Sequence, residues 1–374
     1  MKTERYAAVV LAAGFSSRMG DFKPLMKIGG VTVADRVIAL FRNIGIEVIM
    51  VTGWRQEELL AGIDRHDITV TENPDYATGM LSSVQAGVKK LPASCESFFL
   101  MPVDIPLVRP ATIQRLIAAA DTHPGTILYP VFRSKHGHPP VIPSFLSGEI
   151  TGWHEEGGLN TILARHKDLQ REVPVADSNV LADADRQADF SKLLRKYEQY
   201  HIPDEAECRA ILDIAGTPER TRNHACKVRD VAAALGRALA DAGVPVNTGE
   251  VEAAALLHDV AKGQPDHEAA GARMLSESGF SRIGDIVSVH QELVDDIDSV
   301  DIETKLVYLA DKMVIEDRLV PVEQRYRASE EKYGHIPDAL ENIIARKNRA
   351  QAVKAEVETM LGQPVECIIG GLSS

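Results

Sequence analysis

The chain has few cysteines, no long apolar run and no excess of positive charge, and each shortage removes a class of protein. Its four cysteines, Cys95, Cys208, Cys226 and Cys367, are scattered among 374 residues with no paired metal-ligand spacing. That pattern excludes a disulfide framework and fits reduced thiols in a cytoplasmic protein. No stretch approaches the length of a membrane-spanning helix. The N-terminal residues 1–13 imitate a signal peptide, with Lys2 and Arg5 before small apolar residues, but Gly14 breaks the run and polar residues follow at once. Acidic residues outnumber basic ones, 54 to 41, for a formal net charge of −13. Such a surface repels nucleic acid and anionic membrane, so neither is an expected partner. Internal repeats and low-complexity tracts are also missing. What is present is an apolar fraction of 45% and a charged fraction of 25%, ordinary for folded domains, in a chain long enough for two of them.

The first half alternates β-branched runs with helical periodicity. Candidate strands are 7–13, 47–53, 67–72, 97–104, 126–132 and 171–176, with helices such as 31–43 and 110–120 between them. This predicts an α/β, Rossmann-like, mostly parallel sheet over residues 1–200. Ligands of such sheets bind beyond the carboxyl ends of the strands, which is where residues 14–20 and Asp104 fall. Residues 192–200 read as a closing helix and 201–204 as a short linker. From residue 203 to 374 the segments read as amphipathic helices, with one further strand expected at 366–369. An all-α second domain follows.

Residues 11–25 read Leu-Ala-Ala-Gly-Phe-Ser-Ser-Arg-Met-Gly-Asp-Phe-Lys-Pro-Leu. A glycine-bounded loop after a strand exposes backbone N–H groups to phosphate oxygens, and Arg18 and Lys23 add charge-assisted hydrogen bonds. A surface loop with solvated charges is the plainer alternative. Asp104 ends an apolar strand, Asp185 precedes a helical segment, and either is equally suited to capping.

The loop string resembles that of the nucleotidyltransferases that attach a nucleotide to molybdopterin, through Leu11, Ala12, Gly14, Ser16, Arg18, Met19, Gly20 and Lys23. Ala13 is the form associated with the cytidylyl branch, where a methyl group would favour the smaller pyrimidine. Asn73-Pro74 and Gly79-Met80-Leu81-Ser82-Ser83 resemble the segment that lines the nucleoside. Gly137-His138-Pro139-Pro140 resembles a motif of the acceptor region, but its extra proline favours a tight turn and His138 receives no chemical role. The resemblance implies CTP and a molybdopterin-type molecule as substrates, and a molybdenum hydroxylase as recipient of the product. It implies nucleotide binding by Leu11, Ala12, Ala13, Gly14, Ser16, Arg18, Lys23, Ser82 and Ser83. Magnesium would lie at Asp104 and Asp185, with Arg18, Lys23 and Asp104 serving catalysis. A guanylyl or sugar-phosphate transferase, or a cofactor carrier without turnover, stays open.

In the second half, His224, His258-Asp259, His267, His290 and Asp311 recur among apolar helical segments. Imidazole and carboxylate together suit iron, manganese, cobalt or zinc. His258 and Asp259 close an apolar run on an expected helix over 250–262, where burial is costly unless they bind something. Lys262, four residues after His258, would meet a substrate phosphate from the same side. This order resembles the HD phosphohydrolase superfamily, with His224, His258, Asp259 and Asp311 as its ligand quartet. The segments around His258, His267, His290 and Asp311 resemble the branch that hydrolyses diadenosine polyphosphates. In that branch Asp259 would bridge two ions, and His267 and His290 would complete the second position. A nucleotide-sensing module is the alternative. Cys226 matches no ligand position and reads as packing.

Overall fold

A computed structural model of the chain describes residues 3–15, 21–64, 66–293 and 296–372. It divides into two compact units, Met1–Tyr200 and His201–Ser374.

The N-terminal unit runs β1 (Tyr6–Leu11), β2 (Lys27–Ile28), β3 (Val31–Thr32), α1 (Val33–Arg42), β4 (Glu47–Thr52), α2 (Gln56–Gly62), β5 (Ile68–Glu72), α3 (Met80–Val88), β6 (Ser97–Pro102) and α4 (Pro110–Thr122). It continues through β7 (Ile127–Phe132), β8 (Lys135–His136), β9 (Val141–Pro143), α5 (Ser147–Thr151), α6 (Gly158–Ala164), β10 (Gln170–Pro174) and α7 (Gln187–Glu198). The main sheet has the order β10-β7-β9-β6-β1-β4-β5, with β8 paired to β7. β6, β1, β4 and β5 run parallel, as do β10 and β7, while β9 lies antiparallel between β6 and β7. The three residues of β9 give too short an alternation to announce a strand in sequence.

Buried strands read as unbroken apolar runs because both faces of the sheet are covered. Val9 and Val51 join one core with Val84, Ile150 and Trp153. On the opposite face Phe41 and Phe99 meet with ring centroids 5.5 Å apart. Gly87 lets α3 approach this closely: a Cβ there would lie 2.3 Å from Val9 Cγ1 and 2.9 Å from Val51 Cγ2. The Thr32 hydroxyl starts α1 by accepting from the Asp35 N–H. α7 begins at Gln187, five residues earlier than its apolar periodicity suggests.

The C-terminal unit comprises α8 (Glu205–Ile214), α9 (Glu219–Asp241), α10 (Thr248–Leu257), α11 (His267–Glu277), α12 (Ser281–Val287), α13 (Ile302–Lys312), a small hairpin of β11 (Val314–Ile315) and β12 (Arg318–Leu319), α14 (Val322–Tyr333), α15 (Pro337–Leu361) and α16 (Val365–Ile369). A full capping box at Asp204 and Glu207 nucleates α8. α9 packs against both α10 and α13, burying His224 and Asp311 between them. Residues 366–369, expected as a strand, belong to α16 instead, where Val365 and Ile369 share one buried face at helical spacing. Among the described residues, no helix is long and apolar enough to cross a membrane.

Candidate functional sites

The loop after β1 leaves the sheet between its two central neighbours. The Ala12 N–H donates to the Val51 carbonyl at 2.9 Å, and the Val103 N–H donates to the Leu11 carbonyl at 3.1 Å. A cleft of about 350 Å³ opens there, lined by Leu11, Ala12, Ala13, Gly14, Phe15, Lys23, Tyr76, Gly79, Met80, Ser83, Val103 and Asp104 among others. Among the described residues, nothing lies within 4 Å of where a Cβ on Gly14 would point. The backbone here is therefore open to close approach by a ligand. Ser16, Arg18, Met19 and Gly20 lie outside the described residues.

Lys23 begins a short turn and is largely buried. Its Nζ sits 3.6 Å from Asp104 Oδ2 and 3.2 Å from Asp185 Oδ1. The two aspartates, 81 positions apart in sequence, thus face one ammonium. The Ala184 N–H donates to the Asp104 carbonyl at 3.0 Å, which fixes the segment carrying Asp185 beside the end of β6. That segment is anchored by buried Asp177, whose carboxylate accepts from Arg109 Nη1 at 2.9 Å, Thr112 Oγ1 at 2.7 Å and Asn179 Nδ2 at 2.9 Å. Burial pushes the Asp104 pKa up, Lys23 opposes this, and the carboxylates of Asp185 and Asp183 add to the rise. An all-oxygen pair crowded by a third carboxylate fits a hard divalent cation such as magnesium.

The two serines separate. Ser83 lines the cleft and accepts from Asn73 Nδ2 at 2.9 Å. Ser82 is not among the lining residues and donates to the backbone carbonyls of Asp75 and Gly79. The sequence reading did not single out the aromatic rim, where Phe15 packs edge-on against Tyr76 with centroids 5.2 Å apart. It also missed the Arg109–Asp177 anchor. Phe15 stands inside the loop string, but the partner that steadies it comes from another strand end, which periodicity cannot show. His138 is held through its backbone N–H to the Val180 carbonyl, and burial pushes its imidazole pKa down.

In the C-terminal unit all six predicted ligands converge. α9 supplies His224, the turn after α10 supplies His258 and Asp259, α11 opens with His267, the segment after α12 holds His290, and α13 carries Asp311. Asp259 divides its oxygens between two groups. Oδ2 lies 3.4 Å from His258 Nε2 and 4.0 Å from His224 Nε2, whereas Oδ1 lies 3.5 Å from His267 Nε2 and 3.6 Å from His290 Nε2. Within each group, His224–His258–Asp259 and Asp259–His267–His290, the ligand atoms all fall within 4.8 Å of one another. Asp311 Oδ1 joins the first group, 3.1 Å from His224 Nε2 and 3.6 Å from His258 Nε2.

The imidazoles are oriented from behind. The Nδ1 atoms of His224, His258 and His290 lie 2.7–2.8 Å from the backbone carbonyls of Glu316, Ala255 and Val287. Each Nδ1 is thereby turned to a carbonyl and each Nε2 toward the carboxylates, the orientation in which a ring donating from Nδ1 would offer its Nε2 lone pair to an ion. His258 Nε2 is buried without a hydrogen-bond partner, as expected of a ligand atom. Burial acts to raise the Asp259 pKa, but His258, His290 and Lys262 hold it well below the usual carboxylate range. Asp311 is held low against its own burial, first by Lys312 and then by His224. This donor set fits one or two transition-metal ions.

The expected helix over 250–262 is cut short. α10 stops at Leu257, and tighter turns follow, with the Val260 N–H on the Leu257 carbonyl and the Lys262 N–H on the Asp259 carbonyl. The turn still brings Lys262 Nζ onto Asp259 Oδ2 while half of its side chain stays exposed.

Comparison with known proteins agrees with both halves. Residues 8–169 match the family described as the MobA-like NTP transferase domain, and residues 221–314 match the HD domain. The molybdenum cofactor cytidylyltransferase of Escherichia coli K12 is 33% identical over 135 residues, 36% of this chain and 68% of that protein. The bifunctional IPC transferase and DIPP synthase of Rubrobacter xylanophilus is 36% identical over 135 residues, 32% of this chain. That match spans only 30% of the Rubrobacter protein's length. A molybdenum cofactor guanylyltransferase of Xanthomonas euvesicatoria is 36% identical over 115 residues, 30% of this chain and 54% of that protein. With its glycine-bearing first loop at the tip of a parallel sheet and its histidine–aspartate cluster among helices, the chain belongs to the MobA-like NTP transferase family and carries an HD domain behind the transferase fold.

Proposed function

We propose that the N-terminal unit transfers CMP from CTP to molybdenum-loaded molybdopterin, and that the C-terminal unit hydrolyses a phosphate ester or anhydride. The transferase reading rests on Lys23, which bridges Asp104 and Asp185 at the mouth of a cleft walled by the first loop. A terminal phosphate oxygen of the acceptor forms a bond to the α-phosphorus of CTP as the bond to pyrophosphate breaks, so no protein nucleophile is needed. The chain has to position two polyanions and offset their charge. Lys23 lies close enough to both carboxylates to hold phosphate oxygens against them, and the exposed backbone at Gly14 offers N–H groups for the same purpose. Ala13 narrows the base pocket toward a pyrimidine. Magnesium at Asp104 and Asp185 supplies further neutralisation of the phosphates when bound.

In the HD unit, His224, His258, Asp259, His267, His290 and Asp311 would hold the metal, which would supply Lewis acidity when bound. Lys262, half exposed and paired with Asp259, would turn its ammonium to a phosphate oxygen of the substrate. The product of the first unit would pass to a molybdenum hydroxylase in the cytoplasm.

Purified protein incubated with labelled CTP or GTP, magnesium and molybdenum-loaded molybdopterin tests the reading. Multiple turnovers with CTP and pyrophosphate release are expected. Preference for GTP would move the chain to guanylyl transfer. Reaction only with a sugar phosphate would overturn the cofactor assignment, and nucleotide binding without turnover would make it a carrier.

A further inference from the structure

Lys312 is an ammonium-bearing residue built into the wall of the histidine–aspartate cluster, yet it cannot itself be a ligand. It closes α13 directly after Asp311, and its side chain is only 9% exposed. A lysine buried this deeply is expensive unless its charge and donors are fully used. Here they are. Nζ lies 2.8 Å from Asp311 Oδ2, 3.2 Å from the carbonyl oxygen of His290, and 4.8 Å from the ring centroid of Tyr308. The first contact occupies one oxygen of Asp311 and leaves Oδ1 toward His224 and His258. The second grips the backbone of His290, whose ring faces the other oxygen of the bridging Asp259.

From this geometry we infer that Lys312 is a positioning residue that ties the two ligand groups of the HD centre together, restricting Asp311 to one oxygen and seating His290. This rests on the reading of that cluster as a metal centre. Lys312 acts on both groups through one atom, without touching an ion. Lys305 offers the internal comparison. It lies on the same helix, similarly buried, but its Nζ is spent on Glu356 at 2.7 Å, and among the described residues it makes no hydrogen bond or ion pair with the cluster.

The test uses the full chain with excess magnesium to fill the transferase cleft, titrated with Co²⁺ and read by visible absorption and calorimetry. Wild type should take up the ions with a histidine-type cobalt spectrum. Lys312→Met should alter that spectrum, since Asp311 Oδ2 becomes free to bind, and should weaken the ion held by His267 and His290 by about tenfold or more. Removing a positive charge next to the ions acts in the opposite direction, so a net loss reports lost positioning. Lys305→Met should leave spectrum and affinity unchanged while lowering the melting temperature. If Lys312→Met does not fold, Lys312→Gln replaces it, with a smaller change of the same kind expected. Wild-type spectrum and affinity in the Lys312 variants would overturn the inference and leave the metal centre standing. Equal disturbance by Lys305→Met would reduce Lys312 to a general packing role. A wild type that takes up no cobalt would remove the metal reading, and the inference with it.

Discussion

The two sites of this chain are built on opposite plans. In the transferase cleft the carboxylates are partly exposed, sit on loops that follow strands, and are joined by a single ammonium. In the HD cluster the carboxylates and three of the four histidines are buried, and the rings of those three are set by hydrogen bonds from behind. The ligands proposed for the two sites would account for the difference. A hard ion that arrives with a triphosphate needs only one or two carboxylates and must leave with product. A resident transition metal needs neutral imidazoles already aimed at one point, because each misoriented ring weakens it. On the proposed function, the first site would be completed by its substrate and the second would stand ready before it.

The largest way to break that comparison is Asp259→Ala. One side chain serves both groups, so its loss should strip both ions, weakening retention by more than about a hundredfold, beyond the usual outer-shell effect. Metal analysis after dialysis reads this directly, and a variant that keeps its metal would show that Asp259 does not join the two ligand groups. Transfer by the N-terminal unit should be unaffected.

Asp104→Asn sharpens the contrast from the other side. Burial and neighbouring carboxylates raise the Asp104 pKa above its ordinary 3.8. A raised carboxyl favours folding while protonated, and that stabilisation is lost as pH rises through the raised value. At neutral pH the native aspartate therefore costs stability, and the asparagine variant should melt a few degrees higher in its N-terminal transition. The gain should vanish below the ordinary carboxylate range. Nucleotidyl transfer should meanwhile fall by about a hundredfold or more. A melting temperature that drops at pH 7 would contradict the proposed crowding.

The smallest effect separates the adjacent serines. Ser83→Ala should raise the KM for nucleotide about fivefold, equivalent to the ~1 kcal/mol of one neutral hydrogen bond, with little change in kcat. Ser82→Ala should instead cost about 1 kcal/mol of stability, through its lost bonds to the Asp75 and Gly79 carbonyls, and leave KM alone. Denaturant unfolding and initial rates distinguish the two patterns.

Much of this was legible in the chain itself. Apolar runs bounded by glycine and proline announced the parallel strands, because burial on both faces demands them. The loop string and the His–Asp order supplied the candidates that meet at Lys23, Asp104 and Asp185 and around Asp259, because phosphate and metal chemistry tolerate few side chains. Local spacing also overreached: it carried α10 on to Lys262, where tight turns had replaced the helix, and gave a strand at 366–369, where a buried helical face won. Only the tertiary structure decided which atoms meet. It set Asp104 and Asp185 on one ammonium, split the oxygens of Asp259 between two groups, sent Ser82 to the backbone and Ser83 to the cleft, and drew Lys312 inward. Those outcomes depend on contacts between residues far apart in sequence, and on which face of an element is buried. A sequence read alone contains the candidates for such contacts but not the geometry that selects among them.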